Sequence, residues 1–174
     1  MQKDLRYNEV APQRYREKIG LFYEEFTVGD IIEHRPGRTV LDSDNTWLTL
    51  LGMNPHPVHF DTEYAKHTEF DKPLVNSLVT FMIINGMTVR STSGKAIANL
   101  GWDKVRLKHP VFAGDTLYAE TKVLSKRLSK SREGQGLVTV KSRGLNQNGV
   151  EFMEFERTFM VPCEQNGSAV IPNY

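Results

Sequence analysis

The stretch PLVNSLVTFMIINGMTVRSTSG, residues 73–94, decides how this chain folds. Leu74, Leu78, Phe81, Met82 and Val89 mark one helical face, and Val75, Val79, Ile83 and Ile84 fill much of the other. A helix apolar nearly all round belongs in an interior, so this one is predicted to be buried on several sides and to end near Gly94. Downstream the period changes to two. KVRLKHPVF, DTLYAETKVLSKRLSK, GLVTVKSRGLNQ and VEFMEFERTFMVP alternate in runs rich in Val, Thr, Phe and Tyr, which predicts strands. Asn148-Gly149 between the last two is a strong hairpin signal, with Gly114-Asp115 and Gly134-Gln135-Gly136 at the other turns.

Upstream, FYEEFTVGDIIEHRPGRTVL holds two short extended stretches around a Pro36-Gly37 turn signal. DSDNTWLTLLG offers Asp42, Ser43 and Asp44 as caps and Gly52 as a stop, enough for one or two helical turns. Short strands, one buried helix and an antiparallel meander make an α+β domain, most simply a curved antiparallel sheet wrapped around a long central helix. Such a sheet exposes an edge strand that pairing with a second copy would protect, so a homodimer or an assembly of dimers is expected. Residues 1–20 read as a polar arm, 21–162 as the domain and 163–174 as a tail.

Composition excludes several classes. The 174 residues carry a net charge of +1, with 39% apolar and 25% charged side chains, an ordinary globular balance with no field to draw in nucleic acid. The basic run Lys126, Arg127, Lys130 and Arg132 has no interleaved aromatics and reads as a solvated hairpin. Cys163 stands alone, so no internal disulfide forms. The polar first twenty residues lack a signal-peptide core, and no run nears the ~18 apolar residues of a membrane span; a cytoplasmic protein is expected.

The polar segment GMNPHPVHFDTEYAKHTEFDKPLVNSL, residues 52–78, gathers His56, His59 and His67 ahead of the apolar helix. His56, His59 and Asp61 have a conceivable metal-ligand spacing, but without a cysteine or an HExxH helix no metal is expected. Asp61 reads as the cap of the turn DTEYAKH, and Glu69 and Asp71 as turn residues.

Taken together, the sequence resembles the hot-dog fold and, within it, the MaoC-like dehydratases, which include (R)-specific enoyl-CoA hydratases. FYEEFTVGD resembles the family's FEDFxVGD opening. HPVHFDTEYAKHTEFDKPLVNSL is similar to NPIHxDxxYAxxTxFGxPIAHGM, and VRLKHPVFAGDTLYAETKVL to LxFxxPVxxGDTLTAxVEV; NQNG and the last strand complete the match over roughly residues 20–162. One branch, close to mesaconyl-CoA and itaconyl-CoA hydratases (β-methylmalyl-CoA dehydratase), is resembled more closely still, through NPHPVHFDTEYAKHTEFDKPLVNSL and ANLGWDKVRL.

The resemblance implies reversible addition of water to an enoyl-CoA, with CoA as part of the substrate and no separate cofactor. The family's acid/base histidine falls on His59, its aspartate on Asn54, the asparagine of its motif on His56, and the helix-start HG pair on Asn76 and Ser77. Asn54 cannot take a proton, which leaves three readings: His59 acts alone with Asn54 orienting the water, His56 takes part of the lost role, or the chain is a thioesterase or an acyl-CoA binder. A combination of the first two is preferred. A backbone N–H near Ser77 would receive the thioester oxygen, with Asn76 touching the thioester or capping. Trp102 is expected at the acyl pocket or in the core. Arg90 and Arg106 are candidate forks for a substrate carboxylate or the CoA phosphates.

Overall fold

In a computed structural model of the protein, residues 7–165 are placed; the remainder of the expected arm (1–6) and of the expected tail (166–174) lies outside the described residues. The chain opens with a two-stranded hairpin of β1 (Tyr7–Ala11) and β2 (Arg14–Glu17), exposed along both strands. Glu17 pairs with Arg90, and the Gly20 and Leu21 amides bond to Arg90 and Thr92 carbonyls at 2.7 and 3.0 Å, tying the hairpin to the body.

The main sheet contains β3 (Ile31–Thr39), β4 (Ala98–Leu107), β5 (Thr116–Leu128), β6 (Gln135–Leu145) and β7 (Glu151–Pro162), antiparallel in the order β3-β5-β6-β7-β4. Three helices, α1 (Asp42–Leu51), α2 (Thr62–Ala65) and α3 (Ser77–Val89), lie between β3 and β4 in sequence. Across the sheet face from α3, Val79, Ile83 and Ile84 pack with Leu117, Ala119, Phe152 and Phe155. Gly144 of β6 permits that approach: a Cβ there would lie 2.5 Å from the Phe152 ring and 3.0 Å from Ile84. This is the wrapped-helix arrangement of a single hot-dog domain.

Several local expectations need correction. Pro36-Gly37 does not separate two strands; both residues lie inside β3, where pairing with β5 shifts register between His34 and Arg38. Proline lacks a ladder N–H, and an edge strand with a bulge tolerates it. α1 runs ten residues, helped by an Asp44 carboxylate that accepts the Leu41 amide at 2.9 Å. KVRLKHPVF is not one strand: β4 starts at Ala98 and stops at Leu107, leaving Lys108–Phe112 as a turn. The central helix ends at Val89 and is not enclosed, since Leu78 is 71% and Met82 48% exposed. Neither side chain belongs to the core that α3 forms with the sheet, and among the described residues neither is covered.

A polar thread crosses the interior. His34, 3% exposed, contacts Ser91 Oγ and Thr121 Oγ1, each at 2.7 Å, and Thr121 meets Ser142 at 2.8 Å. Burial, reinforced by neighbouring Arg35, lowers the His34 pKa to about 4. In the unfolded chain this imidazole takes a proton below about 6.5. The folded chain refuses it down to about 4. The unfolded state therefore binds more protons in that window, and stability falls as pH drops through it, with no effect above. Urea unfolding at pH 7 and pH 4 is expected to show a loss of up to about 3 kcal/mol from this group. A His34→Gln chain should lack that component, and an unchanged pH dependence would refute the assignment.

Candidate active site

The segment ahead of α3 is built by short-range capping. The Asn54 Oδ1 accepts the His56 amide at 3.0 Å, and the His56 Nδ1 accepts the Val58 amide at 3.2 Å, opening a tight turn over Pro57–His59. Asp61 Oδ1 accepts the Tyr64 amide at 3.0 Å and starts α2 as its cap. The turn then docks on the lead-in to α3: the Leu74 amide donates to the Val58 carbonyl at 3.0 Å, and the Val75 amide to the Val111 carbonyl at 2.9 Å.

His59 emerges half-buried into a cleft of about 300 Å³ that it shares with Phe70, Leu74, Ser77, Thr80 and the Leu107–Val111 turn. Its Nδ1 lies 2.8 Å from the Leu74 carbonyl oxygen. A carbonyl can only accept, so Nδ1 carries the proton and Nε2 is the nitrogen left to act as base.

Opposite stands the first turn of α3. Asn76 is buried, and its Oδ1 accepts the Leu78 amide at 2.9 Å, so it is the helix cap. Val79 and Thr80 amides bond to the Asn76 carbonyl at 2.9 and 3.2 Å. Among the described residues, this leaves the Ser77 N–H without an acceptor, at the positive end of the helix and on the wall of the cleft.

One residue that sequence reading missed holds the parts together. Asn45 of α1, buried, donates from Nδ2 to the His59 carbonyl at 2.6 Å and the Leu74 carbonyl at 3.2 Å. Its Oδ1 accepts the Asn76 amide at 2.9 Å. A side-chain amide thus fixes the histidine turn against the helix cap, satisfying groups that would each cost about 1–3 kcal/mol if buried unpaired.

The other nominated residues are arranged differently. Asn54 and His56 belong to the same turn, and the His56 and His59 rings lie 6.0 Å apart, yet neither residue lines the cleft. Arg90 follows the far end of α3, roughly 20 Å from its start, where it pairs with Glu17. Arg106 is exposed on β4 and bonds to the Val105 carbonyl at 3.1 Å. Trp102 donates to Asn85 Oδ1 at 3.2 Å and packs on Phe81, outside the cleft. His109, which the alternation of KVRLKHPVF assigns to a strand, does line it, as does Lys108.

Known proteins match this architecture. A sequence profile described as mesaconyl-CoA hydratase matches residues 7–169. A mesaconyl-CoA hydratase of Cereibacter sphaeroides is 34% identical over 84% of this chain and 42% of its own length. A β-methylmalyl-CoA dehydratase of Chloroflexus aurantiacus is also 34% identical, over 82% of this chain and 40% of its own length. The chain therefore spans less than half the length of these curated relatives. A solved MaoC-like dehydratase from Rhodospirillum rubrum superposes with a TM-score of 0.74 at 29% identity, covering 83% of this chain and 99% of that one. With the fold, the histidine turn and the profile match in agreement, the chain belongs to the mesaconyl-CoA hydratase family of MaoC-like hot-dog proteins.

Proposed function

We propose that this chain is an enoyl-CoA hydratase/dehydratase acting on a branched C5 dicarboxylyl thioester, such as mesaconyl-CoA/β-methylmalyl-CoA or itaconyl-CoA. The observation that carries the reading is the pairing of a His59 ring with its free nitrogen at Nε2 and an unengaged Ser77 N–H on one cleft. The Ser77 amide and the helix end would stabilise negative charge on the thioester oxygen as the β-carbon is attacked. His59 Nε2 would take a proton from the attacking water and return it to the α-carbon. Water's hydroxyl and proton both enter the product, so the step balances without metal, redox cofactor or covalent intermediate. The relatives' names support the thioester class, and a cleft lining free of Asp and Glu suits an anionic acyl group.

A second copy would cover apolar surface that one copy leaves exposed. Leu100, Trp102, Val105 and Leu107 on edge strand β4 are exposed, as are Leu78 and Met82 on α3. Together they make an apolar border with an unpaired strand edge, suited to pairing with a second copy as a homodimer. Among the described residues, no helix is long and apolar enough to cross a membrane. An acyl-CoA substrate and a cysteine without a disulfide partner fit a cytoplasmic enzyme.

The test is incubation with crotonyl-CoA, mesaconyl-CoA and itaconyl-CoA, following enoyl absorbance and free thiol separately, alongside sedimentation velocity. The expected result is absorbance loss without thiol release, fastest with a dicarboxylyl ester, from a species of twice the chain mass. Thiol release would indicate a thioesterase, binding without turnover a noncatalytic binder, and a monomeric active species would refute the dimer.

A further inference from the structure

We infer that His109 is the specificity residue of the cleft, receiving the free carboxylate of a dicarboxylyl thioester. This rests on the function proposed above, and the chemistry of such a substrate restricts where its recogniser can stand. In a mesaconyl thioester the free carboxylate is bonded to the very β-carbon that water attacks. Its recogniser must share the cleft with His59.

Neither arginine singled out from the sequence does so: Arg90 is engaged with Glu17 beyond the far end of α3, and Arg106 of β4 is not on the cleft wall. Besides His59, the nitrogen-bearing side chains on the cleft wall are Lys108 and His109. Lys108 is already committed. Its Nζ lies 2.5 Å from Glu151 and 2.8 Å from Glu154, two carboxylates that neutralise it and push its pKa up.

His109 has no such partner: among the described residues its side chain makes no hydrogen bond or ion pair. Its backbone is nevertheless well placed. The Lys108 and His109 amides both point to the Phe152 carbonyl, at 2.8 and 3.4 Å, and Pro110 restricts the preceding residue to extended geometry. The next residue in the turn, Val111, is buried and accepts the Val75 amide, so the turn carrying the imidazole is fastened to the lead-in of α3. An imidazole N–H held there can donate to a carboxylate oxygen, a contact that discriminates a dicarboxylyl ester from its methyl-ended counterpart by roughly tenfold.

Succinyl-CoA and butyryl-CoA differ only in carboxylate against methyl, and neither carries a double bond to hydrate. Calorimetric titration of the wild-type protein, His109→Leu and His109→Gln with both therefore reads recognition apart from catalysis. Wild type is expected to bind succinyl-CoA about tenfold more tightly. His109→Leu should lose that preference while binding butyryl-CoA as before, and His109→Gln, which retains an N–H donor, should restore part of it. A wild type that binds both alike, a preference that survives His109→Leu, or equal weakening of both ligands would overturn the assignment. If wild type hydrates no enoyl-CoA yet the preference disappears in His109→Leu, the proposed reaction falls and His109 keeps its role. If wild type hydrates mesaconyl-CoA and the preference survives the substitution, only His109 falls.

Discussion

Replacing His59 with alanine is expected to slow enoyl-CoA hydration by about 10²–10⁴-fold, the usual contribution of a positioned general acid/base. The fold should survive, and the reason is local. The His59 ring gives up one bond to the Leu74 carbonyl, but that oxygen keeps its second donor, Asn45 Nδ2. No buried acceptor is orphaned, so the stability change should stay near about 1 kcal/mol, the net value of one hydrogen bond. Thermal unfolding and absorbance kinetics on the same preparation separate the two effects. A variant with activity within tenfold of wild type would remove His59 from the chemistry and leave the scaffold alone.

Exchanging Ser77 for proline should be almost as costly to the rate, for a different reason. Proline is well accepted at the first helical position, where the N–H has no intrahelical partner. It also demands an extended preceding residue, and Asn76, at φ −59° and ψ 129°, already is one. The substitution therefore deletes the N–H and hydroxyl while sparing the helix. Loss of one oxyanion donor predicts a fall of about 10²–10³-fold in kcat. Ser77→Ala keeps the amide and should retain most activity, which assigns the effect to the backbone. Unaltered kcat in Ser77→Pro, with the melting temperature maintained, would count against an oxyanion site at this turn.

The elements legible in the sequence were those written in local periodicity. Alternation in β5, β6 and β7 and the Asn-Gly turn depend on near neighbours, and so does the capping that starts α3. What failed depended on partners distant in the chain. Pro36-Gly37 carries a turn signal that only the sheet edge overrides. The apolar surface of α3 at Leu78 and Met82 was read as core because composition cannot say whether a side chain faces its own sheet or the outside. Asn45 sits in a run, DSDN, where every residue resembles a cap, and its bonds reach partners 14, 29 and 31 residues away. His109 was hidden by assigning KHPVF to a strand. The arginines were nominated for their chemistry, and topology put them elsewhere.

The tether between His59 Nδ1 and the Leu74 carbonyl bears on product handedness. A ring anchored through one nitrogen has a single atom left to exchange protons, and it need not rotate between taking one and returning it. On the reaction proposed here, oxygen and hydrogen would then reach the same side of the double bond. Hydration in deuterated water should give one diastereomer, the syn adduct, rather than a mixture.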